Sequence, residues 1–417
     1  MPAGATTVAG MKADMLSVDE ALARVLDPLR PLQSETLPLH SIPQLALGRV
    51  LAEPVRSTLD LPPFRQSAVD GYAVRHADLQ NIPCELPVAS EIAAAARADA
   101  PTLSPGTAAR IFTGGWLPDT ADTVVRQELT RRDGDRVHVL EALAPGTDIR
   151  LQGEELKVGD TVAEPGALIT PGLLGAIAMA GVGHVSTWRK PRIAVLVTGD
   201  EVAEPGAPLA PGQIADANGP LLRAYLAHWG YADVQVRYVR DHFDTVCEAL
   251  ADSFAHFDVV ITTGGVSVGD HDHVPKAAVR SGAETLFWKV AQKPGMPLYV
   301  AARGRSTLFG LPGNPASVLV NLLVYVRPAL ARLEGRAAPI AWHRGRLASP
   351  VRAETAKTFW LRMQHRIDEA GTSLLQPLPK QASHMLSNLA QAAVLVRIPP
   401  QAGGHCAQGQ MVEWTTL

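Results

Sequence analysis

Cysteine is scarce in this chain, and so is any excess of charge of one sign. The 417 residues include three cysteines, Cys84, Cys247 and Cys406, which lie far apart and form no C-x-x-C pair. This excludes a disulfide framework and a cysteine metal site, and it favours a reducing compartment, the cytoplasm. The formal net charge of −3 provides no long-range field that would hold nucleic acid or an anionic membrane.

Signals for export, for a membrane span and for a zinc site are lacking as well. The first 15 residues show no basic start followed by an apolar run. The most apolar later stretch, 315–333, is interrupted by Asn321 and Arg327. The 13 histidines form no H-x-x-x-H or H-E-x-x-H pair. We therefore expect no export signal, no membrane span and no histidine zinc site.

The composition that remains is that of a large globular protein. Hydrophobic residues make up 47% of the chain and charged residues 19%, which allows a sizeable core. At about 150 residues per domain, the length predicts roughly three domains. The 35 glycines and 33 prolines indicate many turns and short strands.

The hydrophobic pattern divides the chain into regions. Ser17 and Glu20 form a predicted capping box in front of an amphipathic helix. Residues 32–190 carry short β-rich segments and one short helix near 173–180. Between 191 and 335 buried strands alternate with helices, which predicts a parallel sheet whose binding edge lies at the carboxyl ends of the strands. Short β segments return after residue 335 and predict a small barrel or sandwich.

A glycine loop follows the predicted strand 259–263. Gly264 and Gly265 would let bare backbone N–H groups approach a phosphate closely. Gly264 and Gly269 have the Walker A separation, but Asp270-His271 stands in place of Lys-Ser/Thr, which excludes an ATPase P-loop. An ordinary tight turn would use the same glycines, and it is Asp270 and Asp272 at the same mouth that favour a site.

A second candidate anion site lies at Leu311-Pro312-Gly313-Asn314-Pro315. Asn314 suits a helix N-cap and Pro315 the first helical position, so the next helix would present unpaired N–H groups and its positive dipole end. An ordinary capped helix accounts for the same residues. Lys289 and Lys293 either add positive charge toward an oxyanion or are simply solvated.

Carboxylates recur at the predicted strand ends. Glu201 follows strand 192–198, Asp241 follows strand 234–239, and Asp272 follows the glycine loop. Because parallel strands end at one edge of a sheet, these groups are expected on the same side. Hard oxygen ligands beside a phosphate suit Mg²⁺, although capping and solvation of loop ends would use the same residues.

Six segments, each weak alone, carry a resemblance when they are taken in order. The chain resembles the molybdopterin molybdenumtransferases, which insert molybdate into adenylated molybdopterin in the last step of molybdenum-cofactor synthesis, over roughly residues 16–417. Six matches in one order are highly specific. They are Ser67-Ala68-Val69-Asp70-Gly71-Tyr72-Ala73, Ile111-Phe112-Thr113-Gly114, Thr198-Gly199-Asp200-Glu201, the glycine loop 263–270, Lys293-Pro294-Gly295 and Leu311-Pro312-Gly313-Asn314-Pro315.

The resemblance implies a multidomain fold of the α/β plus β class. A flexible N-terminus (1–15) would precede a β-rich linking domain that includes the first helix (16–56 and 145–190). The linking domain would be interrupted by an inserted β-rich domain (57–144). A doubly wound α/β molybdopterin-binding domain (191–335) and a C-terminal β-barrel (336–417) would follow.

The resemblance also implies roles for individual residues. Catalysis is expected of Asp70, Thr113, Glu201, Asp241, Asp272, Lys289 and Lys293, and the three carboxylates Glu201, Asp241 and Asp272 would also serve Mg²⁺. The pterin and its phosphate are expected on Gly264, Gly265, Ser267, Asp270, Pro312, Gly313, Asn314 and Pro315.

In the family that this chain resembles, the proteins look like homodimers, with a site between the α/β domain of one subunit and the inserted domain of the other. The resemblance therefore implies a homodimer with a shared cleft, and transient contacts with the adenylyltransferase and the acceptor molybdoenzymes.

Two departures from the family pattern stand out. Glu155 is one methylene longer than the usual aspartate, and Met296 replaces a second lysine.

Three functions remain open from the sequence. The leading interpretation is a Mg²⁺-dependent transferase that inserts molybdate into adenylated molybdopterin and releases AMP. A non-catalytic scaffold of the same fold, as in the related domain of gephyrin, is the second, since fold does not determine function. The third is the molybdopterin adenylyltransferase, which shares the glycine loop but has no need of the linking, inserted and barrel segments.

Overall fold

The structure, a computed structural model, describes residues 15–39, 43–95, 99–267, 272–336 and 341–417. The chain forms two compact units. One consists of residues 36–187, and the other of residues 188–417 together with the segment before residue 36. The chain passes between the units within the strands Ser34–Pro38 and His184–Trp188.

A six-stranded sheet forms the centre of the α/β domain. Four neighbouring strands are parallel, and two antiparallel strands extend one edge. The first strand in the chain, Ile193–Thr198, is buried along its whole length, as expected of a strand covered on both faces. The doubly wound α/β domain predicted from the sequence is confirmed. In spatial order the strands are Val234–Val239, Ile193–Thr198, Val259–Thr263, Ser306–Leu311, Tyr299–Arg303 and Glu284–Trp288.

Helices cover both faces of this sheet. Asn218–His228 and the long helix 315–333 pack on one face, and Phe243–His256 and Val274–Arg280 pack on the other. Successive strand residues alternate between the two cores, so that Val195 and Leu196 lie in different ones. This layering leaves the loops at the strand ends exposed for function. A parallel pair of short strands, Val202–Ala203 and Ile214–Ala215, lies in one of these loops.

The long helix has a π-helical turn at its centre. Pro315–Asn321 and Arg327–Leu333 are α-helical, and Leu322–Val326 between them is π-helical. Because Pro328 has no N–H for the carbonyl four residues earlier, the turn before it widens. Within the described residues this is the one helix long and apolar enough to cross a membrane, and 89% of its apolar window is buried inside the protein.

The first helix, Val18–Leu26, begins at the predicted capping box. The Glu20 N–H donates to Ser17 Oγ at 3.3 Å, and the Ser17 N–H donates to Glu20 Oε2 at 2.8 Å. Its apolar stripe, which includes Val18 and Val25, packs into the same core as the long helix. The helix that the sequence analysis groups with the linking domain therefore buries its apolar face on the α/β domain.

The C-terminal domain is a closed barrel. Five strands each pair with two neighbours, and the ring closes between the strands Thr358–Ile367 and Val394–Ile398. Gln292–Lys293 of the α/β domain also pairs with Thr358–Phe359. The predicted C-terminal β-barrel is confirmed. Its strands are His343–Leu347, Thr358–Ile367, Ser373–Pro377, Val394–Ile398 and Met411–Thr416, and a short pair, Val351–Arg352 with His405–Cys406, flanks them.

The unit 36–187 contains a second six-stranded sheet, which lies wholly within the predicted inserted region. Short antiparallel pairs and the helix Pro171–Met179, capped by Thr170, complete the unit. The sheet strands in spatial order are Thr123–Arg126, Gly71–Val74, Ala108–Ile111, Cys84–Ile92, Arg136–Val139 and Thr130–Asp133. The short pairs are Val55–Arg56 with Thr161–Ala163 and Gln66–Ser67 with Ile149–Arg150. Short 3₁₀ turns lie at Pro43–Leu45, His76–Asp78 and Gln127–Leu129.

Arg189 and Asp258 form a largely buried ion pair at the amino-terminal edge of the α/β sheet. Both terminal nitrogens of Arg189 lie 2.8 Å from the carboxylate, and the Asp258 side chain is 6% exposed. Burial alone would raise the pKa of Asp258, but hydrogen bonds from Arg189 and from the Arg192 backbone N–H outweigh it. The pKa of Asp258 is thereby held below its usual value.

Asp258→Asn is expected to lower the free energy of unfolding by about 2 kcal/mol at pH 7, because Arg189 loses its counter-charge. A carboxyl group with a depressed folded-state pKa contributes stability that is fully present above the unfolded value of about 4. This contribution begins to fall near that value and is lost as the pH falls through the lower folded pKa. Urea unfolding at pH 7 and at pH 3.5 should show the difference between variant and wild type shrinking at the lower pH. An equal difference at both values would contradict this account.

Candidate functional site

The carboxyl edge of the α/β sheet forms a crevice between two adjacent strands. Thr198 and Thr263 end these strands, and the helices that follow them pack on opposite faces of the sheet. This reversal is the topological switch point at which open α/β sheets bind ligands. The loops after Leu311 and Val239 emerge at the same edge.

The glycine loop is held tightly against the end of the first strand. Gly264 has a φ of +91° and Gly265 a φ of +65°. A Cβ on Gly264 would lie 2.9 Å from the carbonyl oxygen of Thr198 and 3.0 Å from its Oγ1. The Thr198 hydroxyl donates to the carbonyl of Thr263 at 3.1 Å, and the Gly264 N–H donates to that of Leu311 at 2.9 Å. The bare N–H expected at Gly264 is therefore already paired. Only glycine fits this approach of two strand ends.

The turn 312–315 faces the glycine loop. An ideal Cβ on Gly313 would lie 3.9 Å from the Cα of Gly264, with nothing else within 4 Å. Pro315 occupies the first helical position, as predicted, and Asn314 the N-cap, but the Asn314 side chain makes no capping hydrogen bond. The expected unpaired N–H groups are also fewer than predicted. The Ala316 N–H donates to Ser383 of the barrel, and those of Ser317 and Val318 donate to the Asn314 carbonyl.

The three carboxylates predicted for Mg²⁺ follow separate strands of the sheet. Glu201 is exposed, and Asp241 and Asp272 are half-buried. The Asp241 N–H donates to Oδ1 of Asp200 at 3.2 Å, which joins the loops after two adjacent strands. In the described ranges, no three His, Cys, Asp or Glu side chains form a group that could hold a metal ion. Mg²⁺ in proteins is often held by only one or two carboxylates, so these residues still fit such an ion.

Ser267 lies on the exposed part of the glycine loop. Residues 265–269 have the G-x-S-x-G spacing, which is also typical of a hydrolase nucleophile. The predicted pterin ligand Asp270 lies outside the described residues.

The two predicted lysines have different surroundings. Lys289 has a φ of +76°, and its Nζ lies 5.4 Å from the centre of the Trp288 ring. Lys293 Nζ lies 2.9 Å from Oε1 of Glu354 in the barrel, and this hydrogen bond lowers the pKa of Glu354. The Lys293 side chain is still 53% exposed. A phosphate or molybdate at Lys293 would compete with the Glu354 carboxylate.

A buried polar network fixes the turn that carries Lys293. Gln292 is fully buried, and its Nε2 donates to the Gly295 carbonyl at 2.9 Å and to Asn321 Oδ1 at 2.7 Å. Its Oε1 accepts hydrogen bonds from the Tyr325 hydroxyl at 3.0 Å and the Trp360 indole at 3.1 Å. All polar atoms of the Gln292 side chain are thus paired, which makes this turn rigid.

Asp70 and Thr113 form a pair within the unit 36–187. The backbone N–H and the hydroxyl of Thr113 each donate to Oδ1 of Asp70 at 2.8 Å. These two bonds, with a smaller effect of Arg110, lower the pKa of Asp70. The structure therefore brings together two residues that are 43 positions apart and holds the carboxylate in its charged form.

Comparison with known proteins gives concordant matches along the chain. Residues 16–181 match the MoeA N-terminal region (domain I and II), residues 194–332 match a family described as "Probable molybdopterin binding domain", and residues 344–417 match the MoeA C-terminal region (domain IV). The molybdopterin molybdenumtransferase of Nostoc sp. is 39% identical over 298 residues, which cover 70% of this chain and 68% of that protein. The chain belongs to the MoeA family. The same-named protein of Staphylococcus epidermidis is 33% identical and covers 78% of this chain and 77% of its own.

The fold agrees with this assignment. The molybdopterin biosynthesis MoeA protein of Pyrococcus horikoshii superimposes with a TM-score of 0.81 at 28% identity, covering 97% of this chain and 99% of that one. The predicted resemblance to the molybdopterin molybdenumtransferases is thus confirmed. In this MoeA chain the two departures have distinct settings. Glu155 is exposed, and Lys357 of the barrel brings its Nζ to 3.5 Å from Sδ of Met296.

Sequence reasoning missed two residues at the crevice of this MoeA chain, Asp216 and Asn218. Asn218 Nδ2 donates to the Gly313 carbonyl at 2.8 Å, which ties the 312–315 turn to the start of the helix Asn218–His228. Asp216 accepts the N–H groups of Asn218 and Gly219 and the hydroxyl of Tyr238. Burial, with the Asp216 bond, raises the pKa of Tyr238 to about 12. The signal in the sequence was an Asp two residues before an Asn at a helix start.

Proposed function

We propose that the protein is a molybdopterin molybdenumtransferase that inserts molybdate into adenylated molybdopterin and releases AMP. Family membership and relatives of that name at 33–39% identity support this proposal. The observation that carries it in the structure is the crevice at the switch point, where the glycine loop and the Gly313 turn approach each other. Backbone N–H groups in such a crevice suit a phosphate-bearing ligand.

The chemistry requires positioning more than covalent catalysis. Water cleaves the pyrophosphate P–O bond, so that AMP leaves with one phosphate and molybdopterin keeps the other. Two Mo–S bonds then form to the dithiolene sulfurs, and the two thiol protons leave with one molybdate oxygen as water. We assign Gly264, Gly265, Ser267 and the 312–315 turn to the pterin and its phosphate. Lys289 and Lys293 would attract molybdate or phosphate, and no covalent enzyme intermediate is needed.

We propose that Glu201, Asp241 and Asp272 serve Mg²⁺, one or two of them at a time. The ion would neutralise the pyrophosphate charge when bound.

We also assign to Lys357 the positive charge that the family's second lysine provides, because Lys357 Nζ lies beside Met296. Lys357 belongs to the barrel and lies far from Met296 in the sequence, but its charge lies beside Met296 in space.

We further propose that the protein acts as a homodimer with a shared cleft, since Asp70 and Thr113 belong to one compact unit and the remaining site residues to the other. Mixing two inactive variants tests this. Co-purified Asp70→Asn and Asp272→Asn chains would regain about a quarter of the wild-type activity if each site draws on both subunits. Mixed dimers as inactive as either parent would contradict a shared site.

The decisive experiment measures AMP release from adenylated molybdopterin by the purified protein, with and without molybdate and with and without Mg²⁺. The product is then offered to a cofactor-free molybdoenzyme. Molybdate-dependent AMP release that activates the acceptor supports the transferase. Tight pterin binding without AMP release would indicate a scaffold, and ATP consumption would indicate an adenylyltransferase.

Asn218→Ala is expected to raise the KM for adenylated molybdopterin about tenfold, because the 312–315 turn loses the bond to the Gly313 carbonyl. The turnover number should change less than about threefold, since Asn218 positions a binding turn and does not touch reacting atoms. Steady-state kinetics measure both values. A fall in turnover with an unchanged KM would show that Asn218 acts in the chemical step.

A cytoplasmic location is proposed as well, where transient contacts with the adenylyltransferase and acceptor molybdoenzymes would be possible. The three cysteines are free, and burial raises the pKa of each thiol. Thiols with a raised pKa are poor nucleophiles, and free thiols persist in a reducing compartment such as the cytoplasm.

A further inference from the structure

A pocket of about 590 Å³ lies at the amino-terminal edge of the α/β sheet, opposite the candidate site. Arg192, Asp258 and Ser306 line it, and each stands at or next to the start of one of three adjacent parallel strands. The strands have five or six residues, so about 17–20 Å separate the two edges. This pocket is therefore distinct from the crevice at the carboxyl edge.

The pocket is lined by more positive than negative charge. Four basic residues, Arg189, Lys190, Arg192 and Arg305, stand against two acidic ones, Glu35 and Asp258. The Asp258 carboxylate already accepts two bonds from Arg189 and one from the Arg192 backbone. The Arg192 Nε also lies 3.7 Å from Asp258 Oδ2, but the Arg192 side chain is 61% exposed. Arg305 is exposed and makes no ion pair with any described residue. The lining thus carries two more basic than acidic residues, and the exposed Arg305 contributes to this excess.

The floor of the pocket carries an unsatisfied hydroxyl. Ser306 is 4% exposed, and its Oγ is buried with no hydrogen-bond partner among the described residues. A buried hydroxyl without a partner costs free energy that a ligand oxygen could recover. Rotation about χ1 between staggered positions lets a serine hydroxyl turn toward such a ligand.

One wall of the pocket is aromatic. Phe254 and Phe257 line it beside the arginines. The volume lies within the usual range for small-molecule sites, which combine an apolar wall with a few polar groups. An inorganic ion alone would leave this wall unused, whereas an organic group on the same anion would cover it.

We propose that this pocket binds a small phosphate-bearing anion, with the phosphate on Ser306, Arg192 and Arg305 and any organic body against the phenylalanines. Arginine and hydroxyl donors are the groups that suit phosphate oxygens. The ligand would be a phosphomonoester of nucleotide size or phosphate itself. Both ligands would be recognised through their phosphate oxygens, and their measured affinities distinguish them.

Calorimetric titration of the full-length protein with inorganic phosphate and with AMP tests the proposal. Ser306→Ala and Arg305→Gln should each weaken phosphate binding about tenfold, and the exposed Arg344→Gln of the barrel should not. AMP should lose one binding event in the same two variants. For the binding event that the two variants lose, tighter binding of AMP than of phosphate assigns an organic phosphomonoester, and equal affinities assign inorganic phosphate.

Folding controls keep the test decisive. Without ligand, Ser306→Ala should unfold at the wild-type temperature or above it, because it removes an unpaired buried hydroxyl. Phosphate at 10 mM should then raise the unfolding midpoint of the wild type more than that of the variant. Binding that is unchanged in both pocket variants, or no phosphate binding at all, would overturn the proposal.

Discussion

Asp70→Asn is expected to slow AMP release from adenylated molybdopterin about 100-fold or more, while the unfolding midpoint moves by less than about 2 °C. Both Thr113 hydrogen bonds end on a single carboxylate oxygen of Asp70, each at 2.8 Å. Because the asparagine Oδ1 accepts the same two bonds, the substitution preserves the geometry and removes only the negative charge. Single-turnover measurement of AMP release reports the effect directly.

Two further variants separate charge from geometry at this pair. Asp70→Ala removes both the charge and the two hydrogen bonds, and Thr113→Val removes only the hydroxyl donor. If the charge is what matters, the asparagine and alanine variants will be equally slow, and the valine variant will retain most of its activity. An asparagine variant that turns over at the wild-type rate would show that Asp70 merely orders its loop.

The pH dependence of the reaction gives an independent check on Asp70. The Thr113 N–H, then its hydroxyl, lower the pKa of Asp70 below its usual value. A carboxylate with a depressed pKa stays charged throughout the range above about pH 4. An acid limb in the rate profile between pH 5 and 7 must therefore persist in the Thr113→Val variant and come from another group.

Local patterns predicted the elements of this fold better than their long-range partners. The strand Val259–Thr263 has the predicted bounds, since a run of five buried apolar or β-branched residues leaves few alternatives. The capping box at Ser17 is likewise a local property. The packing of that first helix on the α/β domain is not, because it depends on an apolar surface built mainly by residues from Ile193 onward, far along the chain.

The candidate site shows the same division. The glycines were predictable, because a buried strand followed by two glycines has few structural uses. Contacts made across domains were not. Glu354 pairs with Lys293 and the Ser383 carbonyl accepts the Ala316 N–H, and both partners come from the barrel. Asn218 was missed because a lone amide at a helix start is usually only a cap.

Gly264→Ala is expected to destabilise the α/β domain by about 3 kcal/mol and to abolish AMP release. At a φ of +91° an alanine is strained, at a cost of about 1–3 kcal/mol. Its Cβ would also meet the Thr198 carbonyl oxygen at 2.9 Å, and that oxygen belongs to the end of a buried strand that cannot yield freely. The loop must move, and with it Gly265 and Ser267, which are assigned to the pterin and its phosphate.

Gly313→Ala is the matched control for this substitution, because it adds the same methyl group to the same crevice. Its Cβ would make one ordinary contact, 3.9 Å from the Cα of Gly264, and its φ is not in the left-handed region. The control should therefore keep its unfolding midpoint within about 2 °C, whereas Gly264→Ala should lose about 6–12 °C. Equal midpoints for the two variants would mean that the glycine loop tolerates a side chain. In that case the need for glycine at position 264 would lie in ligand binding alone, and titration with AMP would show a loss of affinity without a loss of stability.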